Sequence, residues 1–100
     1  MPFRFTRTVN IGSNVSPPQA IDMARKLAEH VTRKFGDKIE YGVQLFGQPA
    51  IFWYADNDDL SKLTNNLAAL LGDRDYLGLI DEAHSLWEPG TLKDSLVRLF

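Results

Sequence analysis

The sequence predicts an α+β domain in which one antiparallel sheet carries helices on one side. Three observations lead there. The apolar period changes along the chain between two and 3.6, in the order strand, helix, strand, strand, broken helix, strand. The period changes are punctuated by Pro, Gly and acidic residues of the kind that start and stop helices. And 100 residues with 44% apolar, 24% charged and 11% aromatic content, without cysteine, fit one folding unit spanning residues 1–100 with no linker or low-complexity stretch.

The first element spans residues 3–11. Phe3, Phe5, Val9 and Ile11 fall on one side and Arg4, Thr6, Thr8 and Asn10 on the other, as in a half-buried strand. Arg7 alone interrupts the apolar side. Gly12-Ser13-Asn14 then reads as a turn, and Ser16 before Pro17, with Gln19 three places on, reads as a capping box with proline in the first helical turn. The helix that follows places Ala20, Met23, Ala24, Leu27, Val31 and Phe35 at three- and four-residue steps and stops at Gly36.

Residues 39–46 alternate again, with Ile39, Tyr41, Val43 and Leu45 on one side. Gly47-Gln48 suits a two-residue type II′ turn, so this strand is expected to pair antiparallel with the apolar run 50–55, Pro49 standing at the start of the latter. The acidic run 56–59 reads as the capped start of a second helix with Leu60, Leu63, Leu67, Leu70 and Leu71 as its buried stripe. Gly72 interrupts it, Asp73 caps afresh, and Tyr76, Ile80, Ala83 and Trp87 continue at helical spacing until Glu88-Pro89-Gly90. The closing run 91–100 reads as a last strand, with a short helix through Leu92, Leu96 and Leu99 as the competitor.

Each half is then a βαβ unit, and the whole is the ferredoxin-like plan. In length and element order the chain resembles the dimeric α+β-barrel superfamily, in which two such sheets associate around a barrel. The resemblance implies a homodimer. A chain this small also buries only roughly 60–65% of the surface its unfolded form exposes, so part of its large apolar side chains is expected in a subunit contact.

Composition narrows the partners. A net charge of −2 and eleven scattered Lys and Arg, never more than two in a row, leave nothing to track a phosphate backbone, so no nucleic acid is expected. No apolar run approaches the roughly 20 residues that cross a bilayer and no signal-peptide core is present, so no membrane partner is expected and the location read is cytoplasmic. His30 and His84, the two histidines, lack partners at metal-ligand spacing, and phosphate-loop, dinucleotide and nucleophile-elbow motifs are missing, so neither metal nor cofactor is expected.

The candidate site is a cleft between sheet and helices. His84 is the proposed acid–base, because imidazole titrates near neutral pH and it lies one turn from Ile80 and three residues from Trp87; a solvated helix histidine is the competing reading. Asn10 is the orienting group, Arg7 and Gln44 are polar binding groups, and Phe46, Trp53, Tyr54 and Trp87 supply apolar walls for a small aromatic ligand. The superfamily includes cofactor-independent mono-oxygenases of polyketide quinones and haem-degrading enzymes. Resemblance to the latter would call for Asn, Trp and His, which occur here as Asn10, Trp53 and His84, with the last two further apart in sequence than in that family. A separate resemblance, to the tautomerase superfamily, starts from Pro2: loss of Met1 would leave a secondary amine able to act as base, flanked by Arg4 and Arg7. The function expected is thus binding of a small aromatic or apolar molecule. Cofactor-free mono-oxygenation or isomerisation in the same cleft, a purely structural module, and a Pro2-dependent tautomerase are the alternatives.

Overall fold

A computed structural model describes residues 2–100. Met1, and with it the processing step on which the Pro2 reading depends, lies outside the described residues. The elements are β1 (Phe3–Asn10), α1 (Pro17–Phe35), β2 (Glu40–Gln44), β3 (Ala50–Asn57), α2 (Leu60–Leu70), α3 (Arg74–Ala83), a single 3-10 turn (His84–Leu86) and β4 (Lys93–Arg98). The sheet is antiparallel throughout, in the order β2-β3-β1-β4. This is the ferredoxin-like α+β arrangement.

The helix ends are built largely as the side chains dictate. Asp59 accepts the Lys62 amide at 3.3 Å and Asp73 accepts those of Asp75 and Tyr76, so the Gly72 break divides one helical run into two separately capped helices. Gly36 closes α1 at φ +79°, its amide donating to the Thr32 carbonyl at 2.8 Å. Ser16 differs from expectation: it occupies the N-cap position but its hydroxyl caps nothing, and the Gln19 amide goes to the Ser16 carbonyl instead. Pro17 and Pro18 have no N–H, so the first turn has fewer donors to satisfy and the side-chain cap is dispensable.

The β2–β3 connection also departs from the expected two-residue turn. Gln44 pairs with Ala50, so residues 45–49 form a longer loop, and Leu45 and Phe46 leave the strand to stand 85% and 89% exposed. Gly47 takes up a left-handed φ of +84° and the Gln44 side-chain Nε2 donates to the Gln48 carbonyl at 3.0 Å, which closes the loop without a ladder through Pro49. Residues 93–98 form a strand rather than a helix, since β1 offers a free edge to pair with. Trp87 is not on α3; it is extended and bridges Ile11.

Cross-strand partners share a face, and the register therefore sorts the sheet. Val9, Ile51 and Trp53 meet Ala20, Met23, Ala24 and Leu27 of α1 in the core. The opposite face bears Arg4, Thr6 and Thr8 of β1, Phe52 and Tyr54 of β3 and Val97 of β4, and carries no helix. Gly42 belongs to this second face: a Cβ there would meet the Phe52 ring at 2.7 Å, so the missing side chain is what lets the ring lie across β2.

Candidate functional site

A cavity of about 450 Å³ lies between the covered face of the sheet and the three helices. Strand residues Phe5, Arg7, Val9 and Trp53 form its floor; Leu27 and Val31 of α1, Leu63 and Leu67 of α2 and Tyr76 and Ile80 of α3 form its walls. Leu92, ahead of β4, closes one end and is itself half exposed. The lining is dominated by carbon, as expected of a site for a small apolar ligand.

Trp53 anchors the floor. Its indole Nε1 donates to the Ala24 carbonyl at 3.0 Å, and its ring meets Trp87 edge-to-face at 5.9 Å between centroids. The hydrogen bond satisfies the polar atom of a buried ring and fixes its plane against α1.

Arg7 enters this apolar setting because alternation puts every odd residue of β1 on the covered face. Its Nε and Nη2 donate to the two Asp94 carboxylate oxygens at 2.8 and 3.0 Å, and Nη1 donates to the Tyr76 hydroxyl at 3.2 Å. The hydrogen bond to Asp94 is the main reason that the guanidinium is held above its ordinary pKa, against the opposing effect of burial. Arg7 is therefore a fixed cation in the cavity wall.

Behind Tyr76 a second polar group sets the start of α3. His30 Nε2 lies 2.7 Å from Asp73 Oδ2, Lys34 Nζ is 3.3 Å from the same oxygen, and the His30 ring stacks on Tyr76 at 6.4 Å. The His30 hydrogen bond, then the Tyr76 amide and Lys34, hold the Asp73 carboxyl well below the usual carboxylate range despite its burial. Asp73 thus ties α1 to α3 and positions Tyr76 over the cavity.

The structure gathers some of the sequence-predicted residues here and separates others. Arg7, Trp53, Trp87 and His84 all border the cavity. His84 does so from the exposed end of α3, its backbone N–H donating to the Asp81 carbonyl and its imidazole having no hydrogen-bond partner among the described residues. Tyr54 borders it through the strand only: its ring lies on the other face, stacked on Phe52 at 6.5 Å with the Arg4 guanidinium 4.4 Å above it. Gln44 and Phe46 sit at the hairpin and do not reach the cavity, because β2 ends at Gln44. Asn10 is turned to the opposite face from Arg7, where its amide donates to Glu88 at 3.3 Å, its backbone N–H to Thr91 Oγ1, and its carbonyl accepts from the Glu88 amide. It anchors the connection into β4 rather than joining His84. Arg4 and Arg7 likewise point to opposite faces, Arg4 being held by Asp56 at 2.8 Å, so they do not converge on Pro2.

Two members of the site were not singled out from the sequence as functional. Tyr76 looked like one more apolar helix position, and Asp94 like a surface residue of the last strand. The available signal was Arg7 itself: a cation on the buried side of a strand calls for a partner, though only register and helix docking say which.

No family model matches the chain. No curated protein matches it at a significant level. Among solved structures it is similar to a NIPSNAP family protein from Agrobacterium tumefaciens, with a TM-score of 0.80 at 14% identity over 100% of this chain and 94% of that one. It is also similar to SnoaB, a cofactor-independent oxygenase from Streptomyces nogalater, with a TM-score of 0.70 at 13% identity over 98% and 92% of the two chains. A dimeric protein of unknown function and ferredoxin-like fold from Bacteroides fragilis gives a TM-score of 0.68 at 11% identity over 98% and 96%. At these identities the likeness is one of fold, and the fold it shows is the ferredoxin-like α+β fold.

Proposed function

We propose that the protein is a homodimer whose protomers each bind a small aromatic or apolar molecule between sheet and helices. The observation that carries the reading is the carbon-lined cavity of about 450 Å³ floored by Trp53, which one fixed cation borders. The dimer rests on the helix-free face. Phe52, Tyr54 and Val97 are only partly covered there, and a sheet with one bare apolar face meets either solvent or a second copy. A neighbour of the same fold is described as dimeric. A thermal-shift screen with haem, flavins, aromatic quinones and small keto acids tests the binding, and light scattering on the same sample tests the dimer. A compound class that raises Tm in a concentration-dependent way supports the reading; no shift with any class and a monomeric mass overturn it.

Cofactor-free mono-oxygenation is the second reading. It is favoured by the shared fold with a cofactor-independent oxygenase and by the imidazole of His84 at the rim of the cavity. Oxygen consumption with a bound aromatic quinol, lost in His84→Ala without loss of ligand binding, is the outcome expected on this reading.

A further inference from the structure

We infer that Tyr76 and Arg7 form a two-donor anchor for an oxygen anion carried on the apolar ligand. This deepens the proposed binding function and rests on it. Tyr76 is 9% exposed as a residue, and its hydroxyl meets Arg7 in a part-buried hydrogen bond. That oxygen accepts from Arg7 Nη1, which leaves its own O–H to donate, and no acceptor for it exists among the described residues. A part-buried hydroxyl whose donor is unspent, on the wall of a cavity, is aimed at something the cavity holds.

Arg7 supplies the second donor and the charge. Guanidinium has more N–H groups than the ones given to Asp94 and Tyr76. The bidentate grip of Asp94 fixes the plane of the group and leaves Nη1 beside the Tyr76 hydroxyl at 3.2 Å, so one oxygen of a ligand placed next to both can accept from each. Neutral ligands use such a pair weakly; an oxygen anion in carbon surroundings uses it strongly.

The other ionisable groups on the wall do not compete. Asp37 is bonded to Lys62 and Asn57, each at 3.3 Å, and Glu88 to Asn10. His84 sits at the exposed rim. The ligand class is thus a flat apolar body with one acidic oxygen function, either a carboxylate or an ionised ring hydroxyl.

Equilibrium dialysis at pH 7 with 2-naphthoate, 2-hydroxy-1,4-naphthoquinone and naphthalene tests this. At least one of the two anions is expected to bind about tenfold or more tightly than naphthalene, and the tighter one says whether carboxylate or ionised hydroxyl is preferred. Tyr76→Phe, which keeps the ring and its packing, and Arg7→Met are each expected to remove that gain while leaving naphthalene unchanged. Asp94→Asn frees the guanidinium from its partner and is expected to raise anion affinity several-fold. Three probes bound equally well overturn the anchor and leave the apolar pocket standing; an anion gain that survives Tyr76→Phe also overturns the anchor. No binding of any probe overturns both.

Discussion

The two faces of the sheet are built from the same strands and differ in what covers them. On β3, Phe52 and Tyr54 point to the helix-free side and Trp53 to the helices, so three adjacent aromatic residues are divided between two sites. The covered face encloses the cavity and holds its polar groups with geometry that only a closed core provides: an indole bonded to a helix carbonyl, a cation gripped by a carboxylate and a phenol. The bare face carries Thr6, Thr8 and the exposed Arg4–Asp56 pair beside stacked aromatic rings. One face is covered by helices and encloses a cavity, and the other is left uncovered. Aromatic content alone would not distinguish them; burial and hydrogen bonding do.

That contrast can be tested by substitution. Trp53→Ala removes a buried ring and its hydrogen bond and leaves a hole in the cavity floor, and is expected to cost about 3–5 kcal/mol in chemical denaturation. Phe52→Glu, one position away, places a charge on the bare face. It is expected to halve the molar mass in light scattering and to leave ligand binding to the protomer intact, whereas an unchanged mass would show that this face is not the subunit contact.

Asp73 gives a third, pH-dependent comparison between the covered core and its rim. Its carboxyl titrates lower in the folded chain than in the unfolded one, where the value is about 3.9. The unfolded state therefore takes up the proton first as pH falls. The contribution of Asp73 is fully present above about pH 4 and is lost as pH drops towards the folded value. Asp73→Asn is expected to lower Tm by several degrees at neutral pH and to flatten the acid limb of the Tm-against-pH curve. An acid limb as steep as in the unsubstituted chain would assign that slope to other carboxyls. His84→Ala has the smallest expected effect on folding, within about 0.5 kcal/mol, since its side chain is exposed and unpartnered among the described residues. A larger loss would make it a structural residue and not a rim group.

Much of the scaffold was legible in local chemistry. Asp59, Asp73 and Gly36 mark helix ends because a cap is a contact between near neighbours in sequence, and β1 shows its two faces through simple alternation. The hairpin was misplaced because Leu45 keeps the alternating pattern, and Phe46 the apolar character, past the point where pairing stops at Gln44. Hydropathy records a face but not whether a partner strand is still opposite it. The site was legible only in part for the same reason: Trp53, Trp87 and Arg7 stand out by type, while Tyr76 and Asp94 are distant in sequence and ordinary by type.

The helix ends at Asp59, Asp73 and Gly36, the side of β1 on which Arg7 lies and the scatter of the basic residues are all properties of short stretches of chain, and the sequence settles them. The pairing of β4 with β1, which brings Asp94 to Arg7, and the docking of α3 on α1 through Asp73 and His30, which brings Tyr76 over the same group, are decided by tertiary structure. Both depend on contacts between residues separated by dozens of positions. No local propensity encodes which of many compatible partners arrives, and only the packing of the whole core selects it.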